Sequence, residues 1–279
     1  MKRIITVQDI SCVGKCSLTV ALPIISAMGV EAAVLPTAVL STHTAFEQGF
    51  TFRDLTDDIT AICDHWEREN IGFDAIYTGY LGSFEQLDLM SQFINDFKAK
   101  DTLVFIDPVM GDHGKLYSGF TPEFAKAMAK LCEKADIIVP NMTEAAFMLD
   151  IPYVGEGYDV NYVQDILLRL TSLGSKCAVL TGVSFEDGKI GVMAYDAVND
   201  RFLEYYNDLV GASYHGTGDV FASTCVGALM NGKSLETALQ IAADYTAECI
   251  RLTETEPKHN WYGVNFETAI PYLLDHLSR

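Results

Sequence analysis

Short, continuously apolar runs alternate with longer amphipathic stretches along this sequence, and that alternation admits few folds. Apolar runs of strand length fall at 4–7, 32–35, 75–78, 103–106, 137–139, 178–180, 191–195 and 202–206. Helical patterns occupy 15–28, 54–70, 84–98, 121–133, 143–149, 160–172, 218–230, 234–253 and 265–277. Strands that are apolar on both faces belong inside a parallel sheet with helices on each side. The last two runs are separated only by Asp196-Ala197-Val198-Asn199-Asp200, which predicts a hairpin at an antiparallel edge. The expected class is therefore α/β, with a mostly parallel central sheet and that edge hairpin. No Pro-, Gly- or Ser-rich linker, repeat or low-complexity tract interrupts the pattern, so residues 1–279 read as one domain.

Charge narrows the partners. Asp plus Glu outnumber Lys plus Arg by 38 to 19, a net charge of −19. Such a field repels the phosphates of nucleic acids, which are excluded as partners. A smaller anion such as ATP needs converging N–H groups or a metal to overcome the same repulsion. No apolar stretch approaches the roughly 20 residues that span a bilayer. The apolar run after Met1-Lys2-Arg3 is also too short for a signal-peptide core. A cytoplasmic protein without a membrane partner is expected. Seven cysteines without a C-x-x-C pair, and six scattered histidines, offer neither a disulfide framework nor a zinc site.

In open α/β sheets, ligands bind outside the carboxyl ends of the strands. The segments expected there are Gln8-Asp9, 36–44, Gly79-Tyr80-Leu81-Gly82, 107–112, 141–144, Thr181-Gly182 and the residues leading into helix 218–230. Polar residues and glycines collect in nearly all of them. Gly14-Lys15 before a helix suggests a phosphate-binding P-loop, but Asp9 and Cys16 stand where that motif needs Gly and Ser or Thr.

The strongest local signal is Tyr214-His215-Gly216-Thr217-Gly218-Asp219 at the start of a helix. Glycines that let N–H groups converge, together with the positive end of the helix dipole, make a cradle for developing phosphate charge. Asp219 in the first turn suits a base for a hydroxyl nucleophile. A plain helix cap by Thr217 or Asp219 is the alternative. Asp107 and Asp112, in Asp107-Pro108-Val109-Met110-Gly111-Asp112, are hard oxygen donors of the kind Mg²⁺ takes. Asn141-Met142-Thr143-Glu144 reads two ways, with Glu144 either holding metal-bound water or forming a capping box with Asn141. Ser41, His43 and Thr44 could orient a polar small molecule, although a lone histidine is often satisfied by a backbone carbonyl. Tyr80, between two glycines, suits stacking on a flat ring or simply filling the core.

Taken in order, several blocks resemble the pyridoxal kinase group of the ribokinase-like superfamily. They are Val7-Gln8, Leu40-Ser41-Thr42-His43-Thr44, Thr78-Gly79-Tyr80-Leu81-Gly82-Ser83-Phe84-Glu85-Gln86, 107–112, Pro140-Asn141, Glu144 and Gly216-Thr217-Gly218-Asp219. They span nearly the whole chain, whereas the last block alone supports only the superfamily. The resemblance implies a three-layer α/β/α sandwich that phosphorylates the 5′-hydroxymethyl group of pyridoxal, pyridoxamine or pyridoxine from ATP. It implies Asp219 as catalytic base and Gly216, Thr217 and Gly218 as the anion hole. It gives the phosphates Asp107, Asp112, Asn141, Glu144 and Thr181, with Mg²⁺ on Asp107, Asp112 and Glu144. It turns Asp9, Ser41, His43, Thr44 and Tyr80 toward the vitamer. A homodimer and a monovalent cation such as K⁺ come with the same resemblance.

Two departures stand out. Asp9 replaces a serine common among relatives beside the pyridine ring, and an ionised carboxylate there can only accept a hydrogen bond. Asp219 stands where hydroxymethylpyrimidine kinases often carry cysteine, which favours a B6 substrate. A hydroxymethylpyrimidine or sugar kinase shares the fold and base and is the alternative. A non-catalytic nucleotide-binding regulator would lack the base or the anion hole.

Overall fold

The computed structural model describes residues 1–211 and 213–278. In chain order its elements are β1 (Arg3–Ser11), α1 (Leu18–Ala27), β2 (Glu31–Leu40), β3 (Phe52–Asp54), α2 (Thr56–Arg68), β4 (Ala75–Thr78) and α3 (Phe84–Phe97). There follow β5 (Leu103–Ile106), β6 (Gly111–Asp112), β7 (Lys115–Leu116), α4 (Pro122–Cys132), β8 (Ile137–Ile138), α5 (Met142–Leu149) and α6 (Val160–Ser172). The chain closes with β9 (Cys177–Val183), β10 (Lys189–Asp196), β11 (Arg201–Asp208), α7 (Thr217–Met230), α8 (Leu235–Thr255) and α9 (Phe266–Ser278). Contacts divide the chain into two compact units, Met1–Ala75 with Leu209–Arg279, and Ile76–Asp208.

In the first unit β1 and β2 pair in parallel, and β3 adds an antiparallel edge to β2. The core of β1 is apolar and buried on both faces, as a parallel strand covered on each side requires. The strand runs past the expected end at Val7. Its register against β2 shifts between Gln8 and Ile10, and pairing resumes as far as Ser11. Asp9 therefore lies inside the strand at an irregularity, not in a loop after it. Bulges of this kind re-aim a side chain. Helix α7 is buried along most of its length and rich in small residues. A Cβ on its Gly227 would come within 2.5 Å of the Met28 sulfur, so glycine permits the close packing there.

In the second unit the strand order is β11-β10-β9-β8-β5-β4. β5, β8 and β9 are parallel, and β9, β10 and β11 are antiparallel, so the hairpin expected at the edge is present. The Tyr77 ring, fully buried in β4, meets Phe105 of β5 edge-on at 5.7 Å. Ser83, Thr121 and Asp159 cap α3, α4 and α6 through side-chain bonds to the first-turn N–H groups. Thr181 and Asp112, expected in loops, lie inside β9 and β6. Among the described residues no helix is long and apolar enough to cross a membrane.

Candidate active site

In the first unit, the loop between β1 and α1 meets the start of α7. The expected helix at 15–28 begins only at Leu18, because Lys15 and Ser17 adopt φ of 51° and 54°. L-residues rarely occupy that region. Asp9 is buried and accepts a 2.9 Å bond from the Ser11 hydroxyl. Burial nonetheless pushes its carboxyl above the usual range. Asp219 keeps a partly open face, and burial pushes its carboxyl up to about 7. The charge of Asp9 adds to that rise. Burial, then the two carboxylates, drive the Cys16 thiol well above its ordinary value. Cys16 thus stays a neutral thiol, unsuited to nucleophilic work.

Gly216 has φ 78° and precedes the helix without a side-chain cap. The Thr217 hydroxyl donates to the Tyr214 carbonyl at 3.1 Å, so it braces the turn and does not cap α7. Gly218 is not in the left-handed region, and a Cβ there would meet no heavy atom within 4 Å. Of the two glycines in this turn, only Gly216 meets a conformational demand that glycine alone satisfies easily. The first-turn N–H groups of α7, from Thr217 to Asp219, have no intrahelical acceptor and lie at the positive end of the helix.

His43 is buried with both ring nitrogens engaged. Nε2 faces the Tyr262 carbonyl at 3.0 Å, and Nδ1 accepts from the Ala45 N–H at 3.2 Å. Those partners assign a neutral ring with its proton on Nε2. Burial lowers its proton affinity further. The ring lies 5.0 Å from Phe46, 5.0 Å from His215 and 5.9 Å from Trp261. Its Cδ2 would sit 2.5 Å from a Cβ on Gly14, so His43 is a wall for the loop. The Ser41 hydroxyl accepts from the Thr51 N–H at 2.9 Å. Thr44 is exposed, while the hydroxyl of the neighbouring Thr42 is buried without a hydrogen-bond partner.

The second unit holds the other expected residues. Asp107 is buried just after β5. Asn141 and Glu144 form the capping box that the sequence offered as one of two readings. Glu144 N–H donates to Asn141 Oδ1 at 2.9 Å, and Asn141 N–H donates to Glu144 Oε2 at 2.8 Å. Glu144 Oε1 also accepts from Met110 N–H at 3.1 Å. The Asn141 amide donates to the Gly111 carbonyl at 2.9 Å, tying the β6–β7 hairpin to α5. Gly111 is required in that hairpin, since a Cβ would lie 2.5 Å from the Lys115 carbonyl. Burial, assisted by the charge of Asp112, pushes the Glu144 carboxyl up to about 8. Asp112 is exposed, with Oδ1 accepting from His113 N–H at 2.8 Å. Thr181 N–H donates to the Pro140 carbonyl at 3.0 Å, beside Asn141. The Tyr80 ring is half-buried, 5.6 Å from Phe120 and against Gly82.

Among the described residues, no three or more His, Cys, Asp or Glu side chains converge as a metal cage. Asp107 is a buried oxygen donor, and that chemistry fits Mg²⁺, which commonly takes one or two carboxylates and completes its shell with phosphate and water, whereas both oxygens of Glu144 are taken by backbone N–H groups. Ser11, which holds Asp9, and Ser17, whose φ is 54°, carried no motif in the sequence. Their importance comes from the loop's backbone, which no local pattern announces.

A phosphomethylpyrimidine kinase family model matches residues 21–265. The chain belongs to this family. As a member it is a kinase, a class that draws its phosphoryl group from ATP. A pyridoxine/pyridoxal/pyridoxamine kinase of Bordetella avium is 28% identical over 90% of this chain and 86% of its own length. A Bacteroides thetaiotaomicron protein, assigned as a phosphomethylpyrimidine kinase and crystallised with pyridoxal, is 41% identical. Its structure superposes with a TM-score of 0.93 over 98% of this chain and 95% of that one. Pyridoxal kinase from Lactobacillus plantarum, 30% identical, gives 0.90 over 99% and 97%. These likenesses establish the ribokinase-like fold and bear out the resemblance to pyridoxal kinases.

Proposed function

We propose that this family member transfers the γ-phosphoryl group of ATP to the 5′-hydroxymethyl group of a B6 vitamer, with Asp219 as base. The supporting observation is an acid of near-neutral proton affinity in the first turn of α7. A base is most effective when its pKa lies near the working pH. The vitamer's hydroxyl proton passes to Asp219 as its oxygen attacks phosphorus. The N–H groups of Gly216, Thr217 and Gly218, at and just before the start of α7, stabilise the charge on the transferring group.

Asp107, Asp112 and Thr181 serve the nucleotide directly, with Asp107 and Asp112 as the carboxylates toward Mg²⁺, while Asn141 and Glu144 serve it through the backbone they hold. When bound, the ion neutralises phosphate charge that a chain of net charge −19 would otherwise repel. Glu144 and Asn141 already give their polar atoms to the capping box, so their part is to fix the start of α5. On the vitamer side the reading keeps Asp9, Thr44 and Tyr80. Ser41 and His43 shape the wall, because their polar atoms are spent on backbone. A homodimer and K⁺ dependence accompany this reading, to be checked by light scattering and by exchanging K⁺ for Na⁺ in the assay.

The pyridoxal in the Bacteroides relative favours a B6 substrate. The family description supports hydroxymethylpyrimidine as the second reading. An ADP-release assay against pyridoxal, pyridoxamine, pyridoxine and hydroxymethylpyrimidine separates them. Turnover of hydroxymethylpyrimidine with none of the three vitamers would overturn the proposal.

A further inference from the structure

Gly14-Lys15 looks like part of a phosphate loop in sequence, yet the lysine is bonded to protein groups. Its side chain is mostly buried, and Nζ donates to Glu267 Oε2 at 2.8 Å and to Asn265 Oδ1 at 3.0 Å. The centroid of the buried Phe266 ring lies 5.8 Å from the same nitrogen. Both acceptors are well founded. Asn265 is buried, with its N–H donating to the Thr253 hydroxyl at 2.7 Å and its side-chain amide to Glu256 Oε2 at 2.5 Å. Glu267 stands in the first turn of α9, where the positive end of the helix favours a carboxylate.

This tether acts on a stretch of backbone with little other support. Before it, Cys12 N–H donates to the Leu40 carbonyl at 2.9 Å, and His43 N–H donates to the Val13 carbonyl at 3.2 Å. After it, the Ser17 carbonyl accepts from the N–H groups of Val20 and Ala21 as α1 begins. Among the described residues, no backbone–backbone hydrogen bond reaches Gly14, Lys15 or Cys16. Lys15 nonetheless holds a φ of 51°, a conformation that persists where surrounding contacts over-determine it. Its carbonyl oxygen fills the space that a Cβ on Gly216 would need, and its Cβ lies 2.6 Å from where one on Gly263 would stand.

We propose that Lys15 is a positioning residue for the phosphate cradle. Tethered to the head of α9, it holds its carbonyl against Gly216 and so fixes the N–H groups at the start of α7. The proposal rests on the reading of Gly216, Thr217 and Gly218 as the anion hole. Such a hole works through donors already aimed at the charge that develops in the transition state. A small rotation of the Gly216 peptide therefore costs transition-state binding more than ground-state binding, and it appears in kcat before KM. A lysine that touched phosphate directly would show itself first in the affinity for ATP.

Lys15→Met keeps the aliphatic stem and removes the ammonium. Its kcat is expected to fall about tenfold, short of the roughly 10²-fold cost of deleting a whole donor, with both KM values within about twofold of the wild type. Lys15→Arg, which restores a cation with donors for both acceptors, should recover most of the loss. Glu267→Ala cuts the tether from the α9 side, at an exposed position outside the reacting groups, and should lower kcat in the same direction. The double variant should be no slower than Lys15→Met, because the pair acts as one unit. In the whole protein, the amide NMR signals of Gly216 and Gly218 should shift in both single variants. If Lys15→Met does not fold, Glu267→Ala carries the same test. Unmoved amides would overturn the proposal, as would additive losses in the double variant or a loss confined to the KM of ATP. If the amides move while kcat holds, Lys15 sets this backbone and the reading of it as the anion hole falls.

Discussion

Gly216 and Lys15 are locked against each other: the glycine, at φ 78°, leaves just enough room for the lysine carbonyl oxygen. Gly216→Ala therefore adds a clash to a left-handed strain. It should destabilise the protein by about 1 kcal/mol or more and displace the loop that carries Ser17. Gly218→Ala meets only open space. It should leave the melting temperature unchanged while slowing turnover, because a methyl group intrudes where phosphate must approach backbone. Thermal unfolding and kcat measured on both variants check the contrast. Equal melting losses in the two would mean that both glycines are merely turn residues.

Asp219→Asn should cut kcat by about 10²-fold or more, the usual worth of a positioned base. Its effect on stability should be opposite. The folded state binds the Asp219 proton more tightly than the unfolded chain does, since burial raises its carboxyl to about 7. That stabilisation is complete below the ordinary carboxyl pKa and is lost as pH rises toward 7. The melting temperature of the wild type should therefore fall between about pH 4 and pH 7 more steeply than that of Asp219→Asn. Near-normal kcat in the variant would sink the base assignment.

Asn141→Ala removes half of the capping box and the donor to the Gly111 carbonyl. A lost cap costs about 1 kcal/mol, and the freed β6–β7 hairpin should add to the loss. Urea unfolding measures the first effect. A weakened Kd for ATP with unchanged vitamer affinity is the second, because the hairpin carries Asp112. Lost vitamer binding with normal ATP binding would contradict the division of roles.

Where a segment's burial matched its local pattern, the sequence was readable. β4 at Ala75–Thr78 is buried throughout and β5 at Leu103–Ile106 is apolar and buried from Val104 on, and their ends fall at the expected residues. α6 likewise starts after Asp159, whose side chain accepts from Tyr162 N–H at 2.9 Å. β1 was read too short because Gln8 and Asp9 break the apolar run, although partner strand β2 carries the pairing on to Ser11. The two-residue strands β6 and β7 are too brief for any periodicity. Asp219 and Glu144 were legible because each sits in a helix-start motif with local chemistry. Ser17 was not, since its conformation is imposed by Gly216, Gly263 and Glu267, residues far along the chain.

Asp9 offers the sharpest test of the substrate reading. Its carboxylate accepts from the Ser11 hydroxyl, which leaves lone pairs for a further donor, and ionised it can only accept. A vitamer whose ring nitrogen meets Asp9 should therefore bind as the pyridinium, through a charge-assisted bond. That cation would offset the Asp9 charge which helps to raise Asp219, so vitamer binding should lower the proton affinity of the base. The acid limb of kcat/KM reports the free enzyme and is expected near pH 7, as burial of Asp219 sets it. The limb of kcat reports the bound complex and should lie at lower pH. In Asp9→Asn the two limbs should draw together, and vitamer affinity should fall while ATP affinity holds. A deaza analogue with carbon in place of the ring nitrogen should bind the wild type less well than pyridoxine and lose much less of that difference in the variant. Coincident limbs in the wild type, with a neutral ring seen by nitrogen NMR in the bound complex, would show that Asp9 serves the base alone.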